Sequence, residues 1–157
     1  MLSPHSARAA SSSAPVTVSP YACPADTGYD YSAVVATNLD WLRLYGGPGV
    51  TLTIQFAAGS TVTGTVGGQV KGDISLIVAG AELSVNASVA LAKTVTATVG
   101  GAWTVPATQT GQGWFAAGAT GYSMKWTYGR YSGTCQWVVL RSGTAKLPAH
   151  VPAFYHS

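Results

Sequence analysis

An all-β fold is predicted by three observations: apolar and polar residues alternate across most of 50–99, valine and threonine dominate those runs, and glycines punctuate them. Period two places successive side chains on opposite faces of a strand. Val and Thr crowd a helical turn but suit a pleated sheet, so the helix is the poorer reading. The expected architecture is an elongated antiparallel sheet or sandwich with a long Ser/Thr-rich amphipathic hairpin and one disulfide. A single domain, 21–157, carries it after a leader and linker at 1–20.

The opening MLSPHSARAASSSAPVTVSP reads as the tail end of a signal peptide. Its "ARA" before Ala10 fits a small-residue cleavage pattern, and SSSAPVTVSP reads as a flexible mature terminus. A secreted, extracellular protein is therefore expected.

Residues 21–49 carry Tyr21, Tyr29, Tyr31, Trp41 and Tyr45 and end in the turn Gly46-Gly47-Pro48-Gly49. A short helix across Val35, Leu39 and Leu42 competes there with extended chain. The extended form is expected, because DWLRLY alternates and runs straight into the next strand.

From 50 to 99 the alternation is sustained. Val50, Leu52, Ile54 and Phe56 interleave with Thr51, Thr53 and Gln55, and Val62, Val66, Val70, Ile74, Leu76 and Val78 stay in phase. The second arm presents Leu83, Val85, Ala87, Val89 and Leu91 on one face, with Ser84, Asn86 and Ser88 opposite. With Gly80 in the turn Ala79-Gly80-Ala81-Glu82, the two runs are expected to form one antiparallel hairpin. Seventeen residues of strand extend about 55 Å. A compact domain of this size has a radius of gyration near 15 Å, so the arm bends near Lys93 or the molecule is elongated.

Short strands are expected around 103–105, 114–117, 122–128 and 135–140, separated by glycine-bearing turns. The proline-broken tail KLPAHVPAFYHS is expected to be coil. Cys23 and Cys135 lie far apart. As an extracellular disulfide they would close a large loop worth about 4–5 kcal/mol in the chain-entropy model; the competing reading is two buried thiols.

Only 8% of residues are charged, the net charge is +3, and the charges are scattered. A nucleic-acid groove wants a basic stripe instead. No run reaches the roughly 18 apolar residues of a spanning helix. His5 falls in the leader and His150 and His156 in the tail, while Asp26, Asp30, Asp40, Asp73 and Glu82 form no recognisable catalytic pair. Asp26 and Asp30 supply too few ligands for a calcium loop, and Asn86-Ala87-Ser88 matches a glycosylation sequon in what reads as mid-strand. No enzyme activity, cofactor or metal is expected.

Trp114, Phe115, Tyr122, Trp126, Tyr128, Tyr131 and Trp137 crowd one quarter of the chain. Their default role is core and sheet covering. Tyr and Trp also give large contact area for little entropy, so Tyr21, Tyr29, Tyr31, Trp126, Tyr128 and Tyr131 form a candidate partner surface.

The segments LRLYGGPGVTLTI, WTVPA and GYSMKWTYGRYSGTC, with the alternating hairpin between them, resemble small secreted actinobacterial proteins similar to the aerolysin-like pore-forming superfamily. That resemblance covers 40–140. It implies an elongated all-β protein whose Ser/Thr-rich hairpin leaves the body and joins others in a transmembrane barrel. Lys71 and Asp73 sit awkwardly on a lipid-facing partner strand. The chain also resembles the small bridging subunit of actinobacterial umbrella toxin particles, which implies a role joining a lectin-bearing subunit to a toxin stalk. LRLYGGPG followed by FAAGSTVT resembles bacterial SH3 cell-wall-binding modules, but the chain past Val66 does not fit them.

Two functional readings follow. In the first, the hairpin 50–99 is membrane-active, oligomerises and presents Leu83, Val85, Ala87, Val89 and Leu91 to lipid. In the second, the protein is a binding or scaffold subunit of an extracellular antibacterial toxin complex, and the alternation is an ordinary sandwich strand. The expected partners are a second copy or another secreted protein, with membrane lipid a further candidate under the first reading.

Overall fold

The computed structural model describes residues 27–157, and these are mostly strand with one helix. In chain order they form β1 (Thr27–Gly46), β2 (Thr51–Phe56), β3 (Thr61–Thr63), β4 (Thr65–Gly68), α1 (Ile74–Val85), β5 (Ala92–Thr94), β6 (Val99–Thr104), β7 (Gly113–Tyr131) and β8 (Trp137–His156). One sheet has the order β1-β7-β8-β4, and β2 with β6 and β3 with β5 make two antiparallel pairs. The chain divides into two compact units. Of the described residues, the first takes 27–35, 65–88 and 123–146; the second takes 36–64, 89–122 and 147–157. The long strands β1, β7 and β8 contribute residues to both.

In the second unit the predicted alternation is realised. Leu52, Ile54, Phe56 and Val62 are buried, while Thr51, Thr53, Gln55, Thr61 and Thr63 are exposed. The register runs from Thr51↔Thr104 to Phe56↔Val99 and resumes from Thr61↔Thr94 to Thr63↔Ala92. On the outer face the threonines meet across the strands: Thr51 and Thr104 hydroxyls lie 2.8 Å apart, and those of Thr61 and Thr94 3.1 Å. Cross-strand hydroxyl pairs of this kind help to hold an exposed sheet face. The inner face packs with Leu39, Val95, Val105, Phe115, Ala117 and Ala119 into one core, against which Trp103 and Phe154 rest.

The predicted hairpin is corrected at its tip. Its arms do pair, but only from Gly49 to Gly64 with Leu91 to Val105. The intervening residues leave the ribbon: Thr65–Gly68 pairs antiparallel with β8, and Ile74–Val85 is helical. Ile74, Ile77, Val78, Ala81 and Val85 recur at helical spacing and are the better-covered positions, with Ile77 and Ala81 fully buried. Apolar residues at both spacings made the segment ambiguous. The alternation holds at 74, 76 and 78, yet Leu76 is exposed and Leu83 is 85% exposed. Asn86 ends the helix in the left-handed conformation, φ 54°, which asparagine tolerates better than most residues.

Two further expectations change. The segments 114–117 and 122–128 belong to one continuous strand, β7. The tail is not coil: β8 runs to His156 through Pro148 and Pro152. Among the described residues, β8 is flanked by β7 and by β4, which reaches no further than Lys146. Proline lacks the amide hydrogen that an interior strand needs on both edges, and is tolerated where one edge is unpaired. The competing helix across Val35, Leu39 and Leu42 does not form; β1 is extended throughout.

The first unit is built around Tyr31, Ile77, Ala81, Met124, Trp126 and Ala145, all buried. The Tyr31 hydroxyl donates to the Ile77 carbonyl at 2.7 Å, and the Trp126 indole donates to the Gly67 carbonyl at 3.2 Å. These bonds let large polar-tipped rings sit in the interior without an unmet donor. No disulfide is found among the described residues. Cys135 is exposed in the turn between β7 and β8, and Cys23 lies outside the described residues, so the expected bridge has no structural support. No helix among the described residues is long and apolar enough to cross a membrane.

Candidate functional site

Two aspartates organise the polar chemistry, one in each unit. In the second unit, the Tyr155 hydroxyl donates to Asp40 Oδ1 at 2.6 Å and Arg43 Nε donates to Asp40 Oδ2 at 2.7 Å. The Arg43 guanidinium then lies over the Trp114 ring, 3.7 Å from its centroid, and Trp114 meets Tyr155 edge-on at 6.2 Å. β1 supplies Asp40 and Arg43, β7 supplies Trp114 and β8 supplies Tyr155. Each side chain is thereby fixed by a neighbour on another strand. Burial, and then the bond to Asp40, pushes the Tyr155 phenol well above its ordinary value. Its own bond to Asp40 raises Arg43.

Beside this network β1 leaves its aromatic end uncovered. Trp41 is stacked on Phe56 with centroids 4.5 Å apart and is still 38% exposed; Leu42 is exposed and Tyr45 is 58% exposed. Val50, just after the turn, is exposed as well. Trp41, Leu42 and Tyr45 are large side chains on one strand, with an arginine and an aspartate at their border.

In the first unit, Asp73 Oδ2 accepts from the Tyr29 hydroxyl at 2.9 Å and from Arg141 at 2.7 Å. Arg141 lies over the Tyr128 ring at 4.2 Å, and Tyr29 packs on Tyr128 and Trp126. Asp73 holds the N-cap position of α1 but makes no capping bond, because its carboxylate is turned to these partners. Burial, then the bond to Asp73, raises the Tyr29 phenol. Both aspartates therefore serve as acceptors of a tyrosine and an arginine, and such charge-assisted bonds are the strong ones.

The structure scatters the residues singled out for lipid or partner contact. Leu83 and Val85 lie on α1, Ala87 follows it, Val89 is buried, and Leu91 is half-buried before β5. They do not share a strand in this structure. Of the aromatic candidates, Tyr31 and Trp126 are core residues, which removes them from any surface. Tyr29, Tyr128 and Tyr131 are half-buried, and Tyr21 lies outside the described residues. Sequence reading missed Asp40, Arg43, Trp114 and Tyr155 as a set. Residues at i and i+3 of a regular strand point to opposite faces, so nothing in DWLRLY pairs the aspartate with the arginine.

Comparison with family models, curated proteins and solved structures found no match.

Proposed function

We propose that this chain is a non-enzymatic secreted binding subunit that docks another protein through the aromatic end of β1. The observation that carries the reading is the exposure of Trp41, Leu42, Tyr45 and Val50 beside the Asp40–Arg43–Trp114–Tyr155 network. Trp, Tyr and Arg dominate the energetic centres of protein interfaces, and rings already held in place lose little entropy on binding. The network and the Trp41–Phe56 stack provide that holding.

The resemblance to a bridging subunit of secreted toxin particles supports the same role, as does the sparse charge of the chain. The test is capture from the native secretome by the wild-type chain and by Trp41→Ala/Tyr45→Ala. A stoichiometric partner held by wild type and lost by the double variant is the expected result. Equal capture by both would move the docking site elsewhere.

The aerolysin-like reading has a different carrier from the one the alternation suggested. β7 and β8 are the longest consecutive antiparallel strands, and Val138, Val139 and Leu140 are exposed where β8 begins. Release of dye from loaded liposomes, abolished by Val139→Asp, would favour that reading over docking. The proposed extracellular setting includes the Cys23–Cys135 bridge. Mass spectrometry of the unreduced secreted protein should show one linkage between peptides containing those residues.

A further inference from the structure

In the second unit, β1, β7 and β8 together floor a depression of about 320 Å³ lined by Ala36, Thr37, Asn38, Thr120, Gly121, Tyr122, Ala149 and His150. We propose that it binds one neutral sugar ring. This goes beyond protein docking and uses none of the residues assigned to it.

At Gly121 a Cβ would run into the Leu147 carbonyl, so glycine lets the two neighbouring strands approach closely at this point of the lining, and Ala36 and Ala149 add only methyl groups to it. The other lining residues carry hydroxyls (Thr37, Thr120 and Tyr122), an amide (Asn38) and an imidazole (His150). No side-chain hydrogen bond among the described residues engages any of these groups.

The chemistry selects the ligand. The lining contains no Asp, Glu, Lys or Arg, so nothing there matches a carboxylate or phosphate with a permanent opposite charge. An apolar occupant would strip water from the hydroxyls and the amide and give no bond in return. Sugar hydroxyls both donate and accept, as do Thr and Tyr hydroxyls and the Asn amide. The Tyr122 ring offers a surface for the C–H face of the ring. Ligand pockets span about 300–1,000 Å³, which puts this one at the size of a single ring rather than an oligosaccharide.

The test is a titration of the full chain, followed by amide correlation spectra, with D-glucose, D-galactose, D-mannose and N-acetyl-D-glucosamine into the millimolar range. At least one sugar should give saturable shifts at 36–38, 120–122 and 149–150. Asn38→Ala and Tyr122→Ala should each weaken that binding about tenfold, whereas Trp41→Ala should leave it unchanged. Thr120→Val keeps shape and strand propensity while removing one hydroxyl, and should also weaken binding if the larger truncations disturb the fold. The proposal is overturned if no sugar moves these amides, or if the shifts persist undiminished in the folded variants.

Discussion

The phenol of Tyr31 lies across Gly80 of α1, filling the space a side chain there would occupy, with its ring carbons 2.9 Å from where a Cβ would be. The helix therefore keeps glycine at a position where alanine has the better intrinsic propensity, by about 1 kcal/mol. Gly80→Ala gains that propensity but overpacks a ring whose hydroxyl is tied to the Ile77 carbonyl. Overpacking costs about 1–3 kcal/mol, so the variant should be less stable than wild type. Urea unfolding followed by tyrosine and tryptophan fluorescence measures it, and a stabilised variant would show that the ring can move aside.

Gly118 faces the Leu39 carbonyl on β1 so closely that a Cβ would occupy the same space. Backbone cannot yield as a flexible side chain does, so Gly118→Ala should separate the strands locally or prevent folding. Gly47 has open space around it, and Gly47→Ala should stay within about 0.5 kcal/mol of wild type. Thermal unfolding of the two variants side by side makes the comparison, and similar midpoints would contradict it.

Asp73 and Arg141 are both partly buried, and Asp73 also accepts from Tyr29. A double-mutant cycle with Asp73→Asn and Arg141→Gln should return a coupling of about 1 kcal/mol, above that of an exposed pair. Additive effects would mean that solvent screens the pair completely.

Tyr29 and Tyr155 both hold their protons more tightly than a free tyrosine. Above about pH 10 the unfolded chain releases phenol protons that the folded chain retains, so stability is full below that pH and falls as pH rises through the folded values. Tyr155→Phe should flatten the decline of the melting temperature from about pH 10 upward. An unchanged slope would remove Tyr155 from the alkaline transition.

Much of the second unit was legible in the residues themselves. Thr51 to Phe56 alternates and Thr61 to Thr63 resumes the pattern after a turn, and the structure buries Leu52, Ile54, Phe56 and Val62. The candidate sites were less legible. Arg43 reaches Trp114 and Asp40 reaches Tyr155 only because three strands distant in sequence lie side by side.

By itself, the sequence determined that these runs would be strands and which of their faces would be wet, because side-chain alternation is a local property of extended chain. It did not determine the state of 74–85, whose apolar residues satisfy a strand period and a helix period alike. The tertiary structure decided that: Tyr31 packs on Gly80, its hydroxyl meets the Ile77 carbonyl, and Asp73 is held by Tyr29 and Arg141 at the start of the helix. Those contacts join residues dozens of positions apart, and burial against such partners routinely outweighs a local preference of a few tenths of a kcal/mol per residue.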